Sequence, residues 1–183
     1  MLPAVFLSAG TILFTKTDFF FFMSEKTFEN ADSQKPVKIS RRRANRIAAM
    51  QFIYAWGVSP CEPEKMPETL FDFFTAQPEP REYYAFAEEL ATGTLQNIAR
   101  IDEVISDCAK NWTLSRIARC DLAILRLAIY ELLYRTDIPP IVSINEAIDL
   151  AKIFSTEDSH RFVNGMLDRV KAHLTRPLRE AQK

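Results

Sequence analysis

Only four glycines, three cysteines and two histidines occur in 183 residues. Each shortage excludes something. No G-x-x-x-x-G-K, G-x-G-x-x-G or H-E-x-x-H run is present, so the familiar phosphate cradles and the zinc-protease helix are absent. Cys61, Cys108 and Cys120 are an odd number with no C-x-x-C pair, which argues against a disulfide framework and against structural zinc. Reduced thiols fit a cytoplasmic protein. His160 and His173 are too few for a multi-histidine site, so neither a metal nor a cofactor is expected. Asp158, Ser159 and His160 have the composition of a hydrolase triad but are consecutive, so on a helix their side chains diverge. The chain is not expected to be an enzyme. Strand-like alternation long enough to build a sheet is also missing.

Helical periodicity is what remains. Asp121 to Tyr134 is apolar nearly all round, with Leu122, Leu125, Ile129 and Leu132 on one stripe and Ile124, Leu127, Ala128 and Leu133 filling most of the rest. Such a helix must be covered on several sides. It is too short for a bilayer, and Arg126 and Glu131 interrupt it. It reads as the centre of an all-α core. Around it the pattern predicts a first helix after Ser40 and a short one from about Glu68 to Thr75. A third spans 81–99, and a fourth is capped by Asp102. Ile138-Pro139-Pro140 ends the central helix. A sixth helix follows, starting at Pro140 or at a Ser143–Glu146 capping box, and the last runs from about Glu157 to Leu174. Gly93 marks a close helix crossing.

The ends differ from this middle. Residues 1–37 form an extension expected to be disordered. Its first part is apolar, with Phe19 to Phe22 in a row, but it has no early basic residue, so it fails as a signal peptide. Translation from Met23 is the favoured reading, and no membrane partner is expected. The helical domain covers 38–175, and 176–183 reads as a flexible tail.

The formal net charge is −1, yet Lys35, Lys38, Arg41, Arg42, Arg43 and Arg46 give six cations in twelve residues with no acid among them. A helix start is an unfavourable place for cations because the macrodipole is positive there. Their presence suggests a polyanion, although a solvated basic leader is the plain alternative. Phosphate affinity follows from such a cluster; sequence reading does not. Tyr54 lies further along the same helix. Phe154, Asp158, Arg161 and Phe162 surround the start of the last helix. Phenylalanine is ordinarily a core residue, so Phe154 and Phe162 read first as core and second as platforms for unstacked bases.

Three stretches carry a family resemblance. Arg42-Arg-Ala-Asn-Arg46 through Gln51-Phe-Ile-Tyr54-Ala-Trp56 resembles the first helix of the NusB family of transcription antitermination factors. Asp121 to Glu131 is similar to that family's fifth helix. Ile144-Asn-Glu-Ala-Ile148, Ala151-Lys152 and Glu157-Asp-Ser-His-Arg-Phe-Val-Asn-Gly165 resemble its most distinctive signature. The likeness spans roughly residues 39–174. It implies an all-α fold of about seven helices in two packed sub-bundles. It also implies binding to boxA-type single-stranded RNA in ribosomal RNA leaders, together with the ribosomal protein NusE, in an RNA polymerase antitermination complex that includes NusA and NusG. By that resemblance Arg42, Arg43, Arg46, Tyr54, Phe154, Arg161 and Phe162 would meet RNA, and Asp121 and Asp158 the protein partner. Some members form homodimers, and that is left open here. Two other readings stand beside it. One is a helical protein-interaction module without RNA affinity. The other is a fragment of an RNA methyltransferase that carries a NusB-like domain, for which the chain has no room to hold the methyl-donor domain.

Overall fold

The structure, a computed structural model, describes residues 39–109 and 113–181. The leader expected to be disordered, the start at Met23, Lys35 and Lys38 lie outside the described residues.

Seven α-helices and no strand occur among the described residues. They are α1 (Arg41–Val58), α2 (Met66–Thr75), α3 (Ala85–Gln96), α4 (Ile98–Ala109), α5 (Arg119–Tyr134), α6 (Pro140–Phe154) and α7 (Ser159–Lys171). Single 3₁₀ turns at Pro63–Lys65, Arg81–Tyr84 and Leu114–Arg116 join them. Ser40 caps α1 as expected, its Oγ accepting from the Arg43 amide at 3.2 Å. α6 starts at Pro140, where a missing N–H is no loss. The capping-box alternative fails because Ser143 and Glu146 both point elsewhere, the first to Glu131 and the second to Arg43. The third and fourth helices divide at Asn97, earlier than expected. Asn97 Nδ2 donates to the Gly93 carbonyl at 2.8 Å, and α4 begins at Ile98. Asp102 is therefore no cap. It sits one turn inside α4 and takes both ends of the Arg126 fork at 2.8 Å, joining α4 to α5.

α5 is the hub. It packs on α1, α3, α4, α6 and α7. α1 and α3 pack on each other, and Phe52, Phe73, Phe74 and Tyr84 form a ring cluster that adds α2 to that group. α6 and α7 pack on each other, with α4 against α7. The two groups share α5 as their common wall, so the core is continuous from Phe52 and Leu90 through Ile124 and Ile129 to Leu150 and Leu167, all buried. The expected close crossing is that of α3 on α5. A Cβ on Gly93 would lie 2.0 Å from the Tyr130 hydroxyl oxygen, so the ring occupies the space a side chain would need.

The tail is not free. Arg176 donates to four backbone carbonyls, those of Glu131, Leu132, Arg135 and Ile138, at 2.9–3.1 Å. The Leu132 carbonyl is an end-of-helix acceptor that α5 leaves open, and a cation suits the negative end of the helix dipole. The Leu178 carbonyl also accepts from the Ile141 amide at 3.0 Å. Within the segment expected to be flexible, Arg176 and Leu178 make these contacts.

Candidate nucleic-acid interface

The first turns of α1 divide the arginines by depth. Arg41 and Arg42, in the first turn of the helix, are exposed. Arg41 donates to the carbonyls of Glu82 and Tyr83 and lies over the Tyr83 ring. Arg42 lies over the face of Phe86, 4.1 Å from its centroid. Arg135 and Arg46 approach the same ring at 5.2 and 5.5 Å. Among the described residues no carboxylate lies within ion-pair distance of Arg42. The Asp137 carboxyl is held below its ordinary range chiefly by the hydrogen bond from Arg135, with Arg42 a minor contributor. Arg42 is thus a solvent-facing cation seated on an aromatic face, which restrains it without neutralising it.

Arg43 turns the other way, toward α6. Its Nε and Nη2 reach Glu146 at 3.0 and 2.9 Å, and Nη2 also reaches Asp149 at 2.7 Å. The Glu146 hydrogen bond is the main reason its pKa rises, against the opposing effect of burial. Arg46, expected to touch RNA, is 4% exposed. It makes a bidentate pair with Glu131 of α5 at 2.8 and 3.0 Å, and Ser143 completes the group by donating to Glu131 at 2.5 Å. As placed, its guanidinium is a core element and cannot meet a strand on the surface. That assignment is corrected.

The second group forms at the corner between α6 and α7. Asp158 and Arg161 are its outermost residues, with side chains 89% and 79% exposed and a 3.6 Å ion pair. Phe162 is half-buried at this corner, and Tyr54, on α1, is half-buried too. Phe154 is 5% exposed and Asp121 is also 5% exposed, so neither presents a side chain to a partner in this arrangement. Asp121 instead holds the corner from below. It accepts from Ser155 at 2.5 Å and from Ser159 at 2.9 Å, one residue on each side of the turn. Phe154 fills the core at the end of α6, and its carbonyl accepts from Cys120 at 3.2 Å. Both assignments are corrected to supporting roles: Asp121 points from the first turn of α5 to the α6–α7 turn, and Phe154 is buried at the end of α6.

The two groups meet along α6. Glu146, Asp149 and Lys152 lie in one row at three-residue spacing, and Lys152 pairs with Asp149 at 3.1 Å. From Asp149 to Ser155 is about 9 Å of helix at 1.5 Å per residue. Arg43 therefore sits at one end of a short row whose other end is the corner. Phe86, Glu146 and Asp149 were missed from the sequence as neighbours of the arginines. Phe86 is 44 positions from Arg42, and Glu146 and Asp149 are 103 and 106 from Arg43, and no local pattern points across such a gap.

The NusB family model matches residues 43–172, well over half of the chain. The transcription antitermination protein NusB of Geobacter sulfurreducens is 43% identical over 133 residues, covering 73% of this chain and 95% of that protein. The chain belongs to the NusB family. The NusB of Treponema pallidum is 42% identical over 134 residues, covering 73% of this chain and 93% of its own length. Among solved structures, NusB of T. maritima superposes with a TM-score of 0.65 at 33% identity, covering 74% of this chain and 93% of that one. A crystal structure of the antitermination factors NusB and NusE in complex with dsRNA shares the fold, with a TM-score of 0.60 at 24% identity over 73% of this chain and 98% of that one. The family match begins at Arg43 and ends at Ala172, so Arg42 and the Arg176 anchor lie just beyond it. No helix among the described residues is long and apolar enough to cross a membrane.

Proposed function

We propose that the chain is an RNA-binding transcription antitermination factor that acts without catalysis of its own. It binds boxA-type single-stranded RNA in ribosomal RNA leader transcripts together with the ribosomal protein NusE. It then joins the RNA polymerase antitermination complex with NusA and NusG, in the cytoplasm. Family membership supports the role, since the curated relatives it aligns with over nearly their whole length are named for transcription antitermination. The fold neighbour crystallised with NusE and dsRNA supports the choice of partners. One observation carries the RNA reading. The Arg43 pair with Glu146 and Asp149 ties the arginine-rich start of α1 to the α6 row that leads to Arg161 and Phe162. A single strand a few nucleotides long can then reach Arg42 and Arg43 with its phosphates and the corner with a base. Asp158 is assigned to the protein partner, and Tyr54 and Phe162 to the base-facing side.

The test is a gel shift with boxA-type RNA, with and without NusE, across a salt series. With about four phosphates engaged, the log–log slope should be near −3 for a single strand. Binding that ignores salt, or no shift even with NusE present, overturns the reading. The burial of Arg46 and the neutralisation of Arg43 favour one competitor, a helical module that binds NusE and leaves RNA alone. That competitor predicts a NusE complex and no shifted RNA.

A further inference from the structure

We propose that Asp149 sets the affinity of this surface by holding Arg43 in an internal ion pair that an incoming phosphodiester must displace. The inference rests on the RNA-binding reading above and goes beyond it by naming a residue that opposes binding.

The charge around Arg43 is balanced by α6. Arg46, Arg43 and Lys152 alternate with Glu131, Glu146 and Asp149 in one continuous run of ion pairs. Three cations face three carboxylates, so the positive run read along α1 is cancelled at this point of the molecule. Glu146 alone satisfies the Arg43 fork through Nε and Nη2. Asp149 is a second carboxylate on the same Nη2, at 2.7 Å. The two acids differ in access. The Glu146 side chain is 18% exposed and also lies 3.9 Å from Arg46, while that of Asp149 is 36% exposed. A phosphate approaching from solvent therefore meets Asp149, not Glu146. Guanidinium takes carboxylate and phosphate oxygens with the same donor geometry, so exchange needs no rebuilding of Arg43. Asp149 also holds Lys152, so its departure releases a second cation one turn closer to the corner.

The experiment is a double-mutant cycle on RNA affinity with Asp149→Asn, Arg43→Ala and the double variant, using boxA-type RNA and NusE at several salt concentrations. Asp149→Asn should bind about threefold to fivefold more tightly, the upper part of the range that a partly exposed ion pair is worth. Its salt slope should match the parent's to within about 0.7, the value of one phosphate contact on a single strand, because Arg43 meets the same phosphate in both. In the Arg43→Ala background the gain should shrink below about twofold, because the cation that Asp149 occupies is gone. A gain that persists at full size without Arg43 would mean that only the overall charge matters, and overturns the proposal. So does an Asp149→Asn protein that binds no better than the parent. Asp149→Ala, which removes the acceptor altogether, should give at least the gain of Asn; a loss there also counts against it. If the parent protein binds no RNA at all, the RNA reading itself fails and takes this one with it, which separates the two failures.

Discussion

Arg42 and Arg46 lie on the same face of α1, one turn apart, and both approach the Phe86 ring, yet only Arg42 faces solvent. Depth along the helix, not direction, separates them. Arg42 is in the exposed first turn; one turn later Glu131 of α5 and Glu146 of α6 meet Arg46. The two substitutions should therefore behave oppositely. Arg46→Ala leaves Glu131 buried and unpaired, and should lower unfolding stability by about 3–5 kcal/mol in urea. Arg42→Ala loses only an exposed cation–π contact of about 0.5–1 kcal/mol. It should weaken RNA binding evenly across sequences, because a phosphate contact carries no base information. Titration of boxA-type and scrambled RNA, beside the denaturation curves, checks both. The acid-free run of cations was plain in the sequence. The acids that neutralise two of its members were not, since Glu131 and Glu146 stand 85 and 103 positions away.

At the scale of the elements, helices with strong local signals were legible and their junctions were less so. Ser40 ahead of α1 and the prolines ahead of α6 act through adjacent backbone, so their effect is written where it occurs. Asp102 looked like a cap because it precedes an apolar stripe, but the break between α3 and α4 is made upstream by Asn97. Asp102 serves a tertiary contact with Arg126 instead. Gly93 was legible as a crossing point, though not what crosses it. Tyr130 lies where the missing Cβ would be and stacks on Tyr134, 5.5 Å between centroids. Gly93→Ala should cost about 1–3 kcal/mol through overpacking, despite the better helix propensity of Ala. Tyr130→Ala should absorb most of that penalty, so the pair should be strongly non-additive in denaturant midpoints.

On the scale of the whole molecule, the chain end closes over the hub. Arg176 spans the carbonyls from Glu131 to Ile138 and ties the tail to the α5–α6 turn. Arg176→Ala should destabilise by about 1.5–3 kcal/mol, the range for hydrogen bonds made by a charged donor. A chain ending at Thr175 should lose at least as much. Equal midpoints for the parent and both variants would show that the anchor contributes nothing. Asp121 plays a comparable part at the other corner, where its carboxylate ties Ser155 to Ser159 and fixes the turn that carries Asp158 and Arg161.

Helical class, the order of the helices and the identity of the central one came from the sequence alone. Each depends on periodicity and capping, and those involve residues within a turn or two of one another. How deep each arginine lies, which phenylalanine is buried and what Arg176 touches were decided only by the tertiary structure. Ion pairing and burial depend on distance in space, and α5 brings together groups that the chain keeps far apart.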